Sequence, residues 1–575
     1  MDSLNDHHRT ATACQQIGPK RVFFWLQRAN PPANPENCGQ TCYDCLFSVT
    51  SGWLCHQQPS NTCRCLITVY PPLIPHRFNM TNQRTKQNNR RDFLKTTTKA
   101  GGFLAGGSLI IMGTKASGQI AGANDRVRIA VAGLNGRGQS HISGWRGSPN
   151  VELAYVVDPA SKVLERTMNS LSKRDPKLTT VGLDDLRKAL DDKSLDAISI
   201  ATPNHWHSLL TIWGAQAGKH VYVEKPMSHD ITEGRSVVEA QKKYGVVIQH
   251  GTQRRSNAGI AGLHQALKTG KLPRLKIAYG YCCKPRNGIG QKPLTDPPAD
   301  LNWDHWKGPA VIPQYHANYV PYNWHWFWPS GNGDLNNQGT HQLDVARWAI
   351  DDDQTHPTRA MAIGGRMQWG DQGETPNSMF AMAEYPNGQM VFFNVRNVNY
   401  KGYKHQVYNE YYLEDGSVIT GEGNYKILRP GASQPEPLKL ESGDITPGGN
   451  WKSFIAAVRA GDPNMANGNA LDAHYGCVLG HMMNNSYRLG KEVEFSKNAS
   501  EFGGNADAQE HFGKLHSILA DGVGLTKSDA KYVLGPALEF DAKTERFTGA
   551  LADQANKLLK DPNNPDYKVP MPSDV

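Results

Sequence analysis

The stretch VRIAVAGLNGRGQS (127–140) constrains the fold more than any other part of this chain: a short apolar run ends in a turn with three glycines in six residues. A run of that kind, without polar alternation, reads as a strand buried on both faces, which places it inside a parallel sheet with helices above and below. Later segments repeat the theme. VELAYVV (151–157), AISIA (197–201), 221–223 and 246–249 read as further strands, and helical stretches span 160–173, 208–217 and 231–243, with a short helix over 183–190. Alternation of this type predicts a doubly wound α/β domain of the Rossmann type over 124–271.

Past residue 272 the texture changes. RLKIAYGYC (274–282) opens a region of longer strands, and SMFAMAEYPNGQMVFFNVRN (378–397) reads as two strands around an Asn-Gly turn. YYLEDGSVIT (411–420) repeats that pattern with Asp-Gly, and helices are expected over 339–350, 451–460 and 470–489. The mixture predicts an α+β domain over 272–496 with a large, mostly antiparallel open sheet, suited to substrate binding and homo-oligomer formation. Residues 497–575 form a polar C-terminal extension, expected to wrap the surface.

A turn that cradles pyrophosphate needs glycine where the chain bends tightly and where backbone N–H groups must approach the anion. Gly133 and Gly138 fit the first and third positions of G-x-G-x-x-G; Asn135 takes the second, with Gly136 beside it and Arg137 following. Asp158 lies 20 residues after Gly138, at the end of the second strand, where a carboxylate accepts ribose hydroxyls and repels a 2′-phosphate. The pattern favours NAD over NADP. Two more strand-end loops, ATPNHWHS (201–208) and VEKPMS (223–228), fall where a dinucleotide would lie.

With Glu224-Lys225-Pro226 in that loop, the chain resembles the Gfo/Idh/MocA family of nicotinamide-dependent oxidoreductases over about residues 125–495. The resemblance rests on the glycine turn with Asp158, on Thr202-Pro203-Asn204, on Glu224-Lys225-Pro226, and on NQGTHQLD (337–344). It implies a Rossmann domain joined to an α+β domain, and action on a sugar, polyol or derivative. It also implies that Lys225 touches nicotinamide ribose and the reacting hydroxyl, that His341 is an acid/base, and that Asn204 and His207 hold the cofactor, with Thr202 and Glu224 in the same loops. The family commonly carries Asp-x-Gly-x-His-x-x-Asp; Asn337 stands at the first carboxylate, and an amide takes no proton at neutral pH. That departure leaves room for a redox-neutral glycosidase or lyase cycle beside ordinary dehydrogenation, and for a non-catalytic sugar or nucleotide binder.

The chemistry also stands on the residues. Removing hydride from a carbinol carbon requires the hydroxyl proton to leave through a base, and a lysine near a positive ring has its pKa pushed down by like charge and desolvation. His341 titrates near neutrality and can complete the relay. His341 and Asp344 share a helix face, but no third ligand completes a metal site. Five of the chain's thirteen tryptophans fall within 301–334; Trp324 among them is a candidate platform for a sugar face, and Arg255 a candidate pocket residue.

Residues 1–123 hold 13 Lys/Arg and 5 Asp/Glu, so the body from 124 onward carries a net charge of only +1. A near-neutral body excludes nucleic acid as a partner. The positive excess surrounds NRRDFLK (89–95), a twin-arginine export pattern followed by a glycine-diluted apolar run and the small-residue site Ala121-Gly122-Ala123. The reading is a signal over 80–123 engaging the twin-arginine translocase, a mature chain from Asn124, and a periplasmic or otherwise exported protein. Residues 1–79 read as a dispensable leader or overlong gene start, and their cysteine cluster lacks the partner pair of a zinc site. Because that route carries folded proteins, the NAD is expected to be tightly held.

Overall fold

The computed structural model describes residues 126–575, so the export pattern, the leader and its cysteines lie outside the described residues. Six parallel strands form the first sheet: β1 (Val127–Ala132), β2 (Val151–Val157), β3 (Val181–Leu183), β4 (Ala197–Ile200), β5 (His220–Val223) and β6 (Ile248–His250), in the order β3-β2-β1-β4-β5-β6. The reversal between β1 and β4 is the topological switch point at which α/β sheets bind ligands. Helices α1 (Arg137–Arg146), α2 (Ser161–Arg174), α3 (Asn204–Gln216) and α4 (Ile231–Tyr244) connect them.

Two local expectations fail. Residues 181–183 form an edge strand, followed by one helical turn at Arg187–Leu190, where a single short helix was expected; three residues are too few to show a period. The 201–208 segment is a loop only to Pro203, and α3 begins at Asn204, because a proline at the N-cap presets the extended entry and leaves the next residues free to turn.

After α5 (Ala258–Lys268), the second sheet has twelve strands built around β7 (Leu275–Cys282), β8 (Arg359–Gly365), β9 (Ser378–Glu384), β10 (Met390–Arg396) and β11 (Asn409–Leu413). Only β7 and β10 pair in parallel; all other neighbours are antiparallel. The inner face packs on α6 (Thr340–Ala349) and α8 (Ala470–Arg488), burying Leu343, Val345, Leu479 and Met482 against Ala381, Val391 and Phe393. Helix α7 (Gly449–Ala460) instead completes the Rossmann layer, with Phe454 and Ile455 packed on Ile129 and Trp145. Among the described residues no helix is long and apolar enough to cross a membrane.

Helix α8 joins the two cores. Its first turns bury Ala470, Ala473 and Cys477 among the Rossmann side chains, and its later turns bury Val478, Met482 and Met483 in the sheet core. One rigid helix therefore fixes the strand ends of the first domain relative to the loops of the second.

The C-terminal extension departs from its expected role as a polar wrap. Phe502, Phe512, Leu515 and Tyr532 pack against Tyr279, Phe380 and Phe392, so that α9 (Ala506–Ser517) covers the outer face of the sheet. Three more strands of the extension, Lys531–Leu534, Leu538–Asp541 and Arg546–Thr548, continue the sheet itself. The apolar positions are spaced among Asn, Asp and Lys, which hides them in a composition average. One face of the large sheet is thus covered by the chain's own residues. Phe512 is fully buried, and Phe512→Ala should cost about 3–5 kcal/mol in a denaturant titration.

Candidate active site

The strand ends, the glycine turn and the loops of the second domain enclose one cavity of about 610 Å³. At its base Gly133 has φ +82°, and a Cβ there would lie 2.6 Å from the carbonyl carbon of Ala201. Gly138 is the close-approach glycine: a Cβ would fall 1.9 Å from the Gly133 carbonyl oxygen. Gly136, at φ +44°, caps α1 with no side-chain bond, and the space beyond it is open. A backbone that reaches the cavity wall without side chains leaves N–H groups free for an anion.

Asp158 closes the adenosine end. Its Oδ2 accepts from the Leu134 N–H at 2.9 Å and its Oδ1 from the Ala160 N–H at 2.9 Å, which fixes the carboxylate while each oxygen keeps a second acceptor site. Thr202 lines the middle, its Oγ1 buried without a protein partner. His207 ties two loops together, with Nδ1 2.6 Å from the Pro226 carbonyl oxygen and Nε2 2.9 Å from that of Thr202. Burial lowers its pKa, against those two bonds. Asn204 donates to Asn332 Oδ1 at 3.3 Å. The bare glycine cradle, the fixed Asp158 and the orphaned Thr202 hydroxyl fit a dinucleotide with free ribose hydroxyls.

Glu224 and Lys225 divide the labour of their loop. Trp145 Nε1 donates to Ser199 Oγ (2.8 Å), Ser199 faces His141 Nδ1 (2.8 Å), and His141 Nε2 faces Glu224 Oε1 (3.1 Å). The indole is only a donor and the carboxylate only an acceptor, so the relay runs one way and His141 donates to Glu224. Arg137 Nε donates to the same oxygen at 2.7 Å. Burial is the largest influence on Glu224 and raises its pKa, but the His141 bond and the charges of Arg137, His141 and Lys225 together hold it well below the usual carboxylate range.

Lys225 points the other way. Its Nζ donates to the backbone carbonyl of Asn337 and lies 3.4 Å from Asn337 Oδ1. Asn337 Nδ2 in turn donates to Asp334 Oδ1 at 3.0 Å, and Arg286 clasps Asp334 through two bonds of 2.8 and 2.9 Å. Burial lowers the Lys225 pKa, with Glu224 and Asp334 opposing and Arg137 and Arg286 assisting. His341 lines the same end of the cavity, held neutral by burial and by the Lys225 charge, its pKa well below the ordinary imidazole value. Behind them His481, on α8, accepts from Asn336 Nδ2 at Nδ1 (3.1 Å) and faces Ser228 Oγ through Nε2 (3.2 Å), strutting the loop after Lys225 to the loop before Asn337.

Of the residues expected from sequence, Gly133, Asn135, Gly136, Arg137, Asp158, Thr202, Asn204, His207, Glu224, Lys225, Trp324, Asn337 and His341 line the cavity, with Gly138 directly beneath. Arg255 does not. It is buried in a two-point ion pair with Asp344 (2.9 and 3.0 Å), away from the cavity, because a carboxylate 1% exposed on α6 requires a fixed countercharge. Trp306 also lines the cavity, while most of the tryptophan-rich loop packs on itself around Tyr315, Tyr319 and Phe327. Sequence reading missed Asp334, Arg286, His325 and Tyr567. Asp334 was accessible through its position one helical turn before Asn337; Tyr567, eight residues from the C-terminus, had no local signal. Among the described residues one grouping could hold a metal, His356, His474 and Glu545, and none of the three lines the cavity; Glu545 already accepts from Arg235 at 2.8 Å.

Two family models match the chain: the oxidoreductase family NAD-binding Rossmann fold over residues 127–252, and the GFO/IDH/MocA C-terminal domain over 303–419. The chain is thus similar to Gfo/Idh/MocA proteins over two segments, one in each domain. Its nucleotide site is accordingly an NAD site. Curated relatives include a glycosyl hydrolase family 109 protein of Shewanella baltica, 29% identical over 170 residues (27% of this chain, 37% of the relative). A scyllo-inositol 2-dehydrogenase (NAD(+)) of Bacillus subtilis is 30% identical over 157 residues (27% and 44%), and a levoglucosan dehydrogenase of Pseudarthrobacter phenanthrenivorans 26% over 166 (29% and 36%). The matched region thus spans less than half the length of each of these relatives. A solved structure of levoglucosan dehydrogenase with NADH aligns at a TM-score of 0.47 and 14% identity, over 62% of this chain and 96% of that one.

Removing Arg255 would leave Asp344 buried and unpaired. Arg255→Ala should therefore cost about 3–5 kcal/mol in chemical denaturation. Gly133→Ala, which meets backbone on the far side of the turn, should abolish NAD retention as measured by equilibrium dialysis.

Proposed function

We propose that this protein belongs to the Gfo/Idh/MocA family and is an NAD-dependent oxidoreductase acting on a hydroxyl-bearing carbon of a sugar, polyol or derivative. The observation that carries the reading is the meeting of Lys225 and His341 in the cavity that also holds the glycine cradle and Asp158. Bound there, NAD would supply a hydride acceptor. The glycine turn and Asp158 would hold the dinucleotide, and Thr202, Asn204 and His207 would line its path toward Lys225. Lys225, with its pKa lowered, takes the hydroxyl proton, and neutral His341 beside it passes that proton on. Trp324 and Trp306 offer flat apolar faces at the same cavity for the C–H face of a ring.

A second reading, a redox-neutral cycle that ends in elimination or hydrolysis, is favoured by one observation. Asn337 cannot exchange a proton, and its amide is held between Asp334 and Lys225, so position 337 itself supplies no carboxylate for the oxidation step. The curated relatives carry both kinds of name, dehydrogenase and glycosyl hydrolase. Absorbance at 340 nm across a stereochemically diverse sugar and cyclitol panel separates the two: NADH accumulates in the first, while product appears without it in the second.

The pH dependence follows from Lys225. Its folded pKa is depressed, so the neutral amine is gained as pH rises through that lowered value and lost as pH falls through it. Oxidation should show an acid limb below the ordinary lysine value of 10.5. Lys225→Arg, which cannot deprotonate, should remove the limb and cut kcat by about 100-fold or more. A kcat retained in that variant would show that Lys225 is not the base.

We also propose that the chain leaves the cytoplasm through the twin-arginine translocase with NAD already in place. Protein purified from the exported fraction should begin at Asn124 and release stoichiometric NAD on denaturation. An empty protein that needs millimolar NAD for turnover would count against in-place recycling.

A further inference from the structure

His325 stands in a single 3₁₀ turn, Asn323–Trp326, with its ring lying flat on Trp324 at a centroid distance of 3.5 Å and an interplanar angle of 19°. It is 7% exposed, and it lines the cavity. Its Nδ1 lies 2.6 Å from the carbonyl oxygen of Tyr322. A carbonyl oxygen only accepts, so Nδ1 carries the proton, and a neutral ring keeps its lone pair on Nε2. Burial, and after it the charges of Lys225 and Arg286, hold the ring neutral by setting its pKa well below the ordinary value. Among the described residues no protein group bonds to Nε2. The tautomer is fixed from behind, the basic nitrogen has no protein partner, and the ring lies within electrostatic reach of Lys225.

His341 differs in a way that separates the two. Among the described residues no hydrogen bond fixes its tautomer, and it sits on α6 four residues after Asn337, suited to pass on a hydroxyl proton. His325 comes from a different element, the tryptophan-rich loop, and a second base beside the same lysine has no task in a simple alcohol oxidation.

We propose that His325 is a catalytic general base that removes a proton from a carbon adjacent to a carbonyl in a keto-sugar or ketocyclitol held in this cavity. The C–H bond breaks, its proton goes to Nε2, and the electron pair moves into the carbonyl to give an enolate beside the Lys225 ammonium. Return of the proton from Nε2 restores the ketone, so the step balances without an oxidant. The assignment rests on the carbohydrate reading above and supplies the second proton-transfer site that a redox-neutral cycle requires.

The test uses the full chain in D2O with NAD+ and two ketone probes, 2-keto-myo-inositol and L-sorbose. With the nucleotide oxidised, neither probe can be reduced, and exchange of the C–H next to the carbonyl is read by proton NMR, while saturation-transfer NMR reads binding separately. The wild-type chain should exchange at least one probe above the buffer rate. His325→Gln, and His325→Phe, which keeps the stack on Trp324, should each slow exchange by about 100-fold or more while still binding the probe. Exchange that survives both substitutions, or a wild type that binds a probe without exchanging it, would overturn the assignment and leave the oxidoreductase reading standing. Binding of neither ketone would remove the carbohydrate reading and the assignment with it.

Discussion

The contact between the Lys225 ammonium and Asn337 is the point where the two domains become one site. Lys225 hangs from the end of β5, while Asn337 lies just before α6, so neither domain alone sets the geometry. What keeps the contact in place is α8, which is buried in both cores and carries His481 between Ser228 and Asn336. Burial holds His481 neutral, with its pKa lowered to about 3. An imidazole that accepts at one nitrogen and donates at the other spans two loops without adding charge next to the lysine.

Charge explains the residue at 337. Asp334 already places a carboxylate oxygen 3.0 Å from the side-chain nitrogen of Asn337, and Arg286 donates two hydrogen bonds to that carboxylate. A second carboxylate at 337 would face the first as a like charge in a buried position. The amide instead donates to Asp334 and turns its oxygen to Lys225. The carboxylate of this segment thus stands at 334, about one helical turn before the amide at 337. That placement leaves the lysine with less negative charge in contact, which favours release of its proton.

The parts of the site that were legible in the sequence are those in which local backbone chemistry and function coincide. Gly133 and Gly138 are required by a turn that any reader of 127–140 can draw, and Asp158 follows from its distance along one βαβ unit. Glu224 and Lys225 were legible as neighbours, but their opposite roles were not, since the division depends on His141 and Ser199 reaching across the Rossmann core on one side and Asn337 on the other. Arg255 shows the reverse failure: an arginine near a strand end looks like a ligand for substrate until Asp344, 89 residues away, is found to need it. The extension was misread because its buried aromatics are separated by polar residues, at intervals that only the sheet face beneath them explains.

Tyr567 adds a constraint that no single motif contains. It lines the cavity with Asp158, Asp184, Asp185 and Arg187, and the Arg187 guanidinium lies 5.5 Å from its ring. The last residues of the chain, Val569 and Val575, are buried against the Rossmann core. The adenosine end of the site is thus complete only when the first strands and the final residues have both found their places. A dinucleotide that fills it binds the folded chain and has no equivalent surface on the unfolded one, so its affinity adds directly to stability by linkage. In such an architecture holding the cofactor and finishing the fold are the same event.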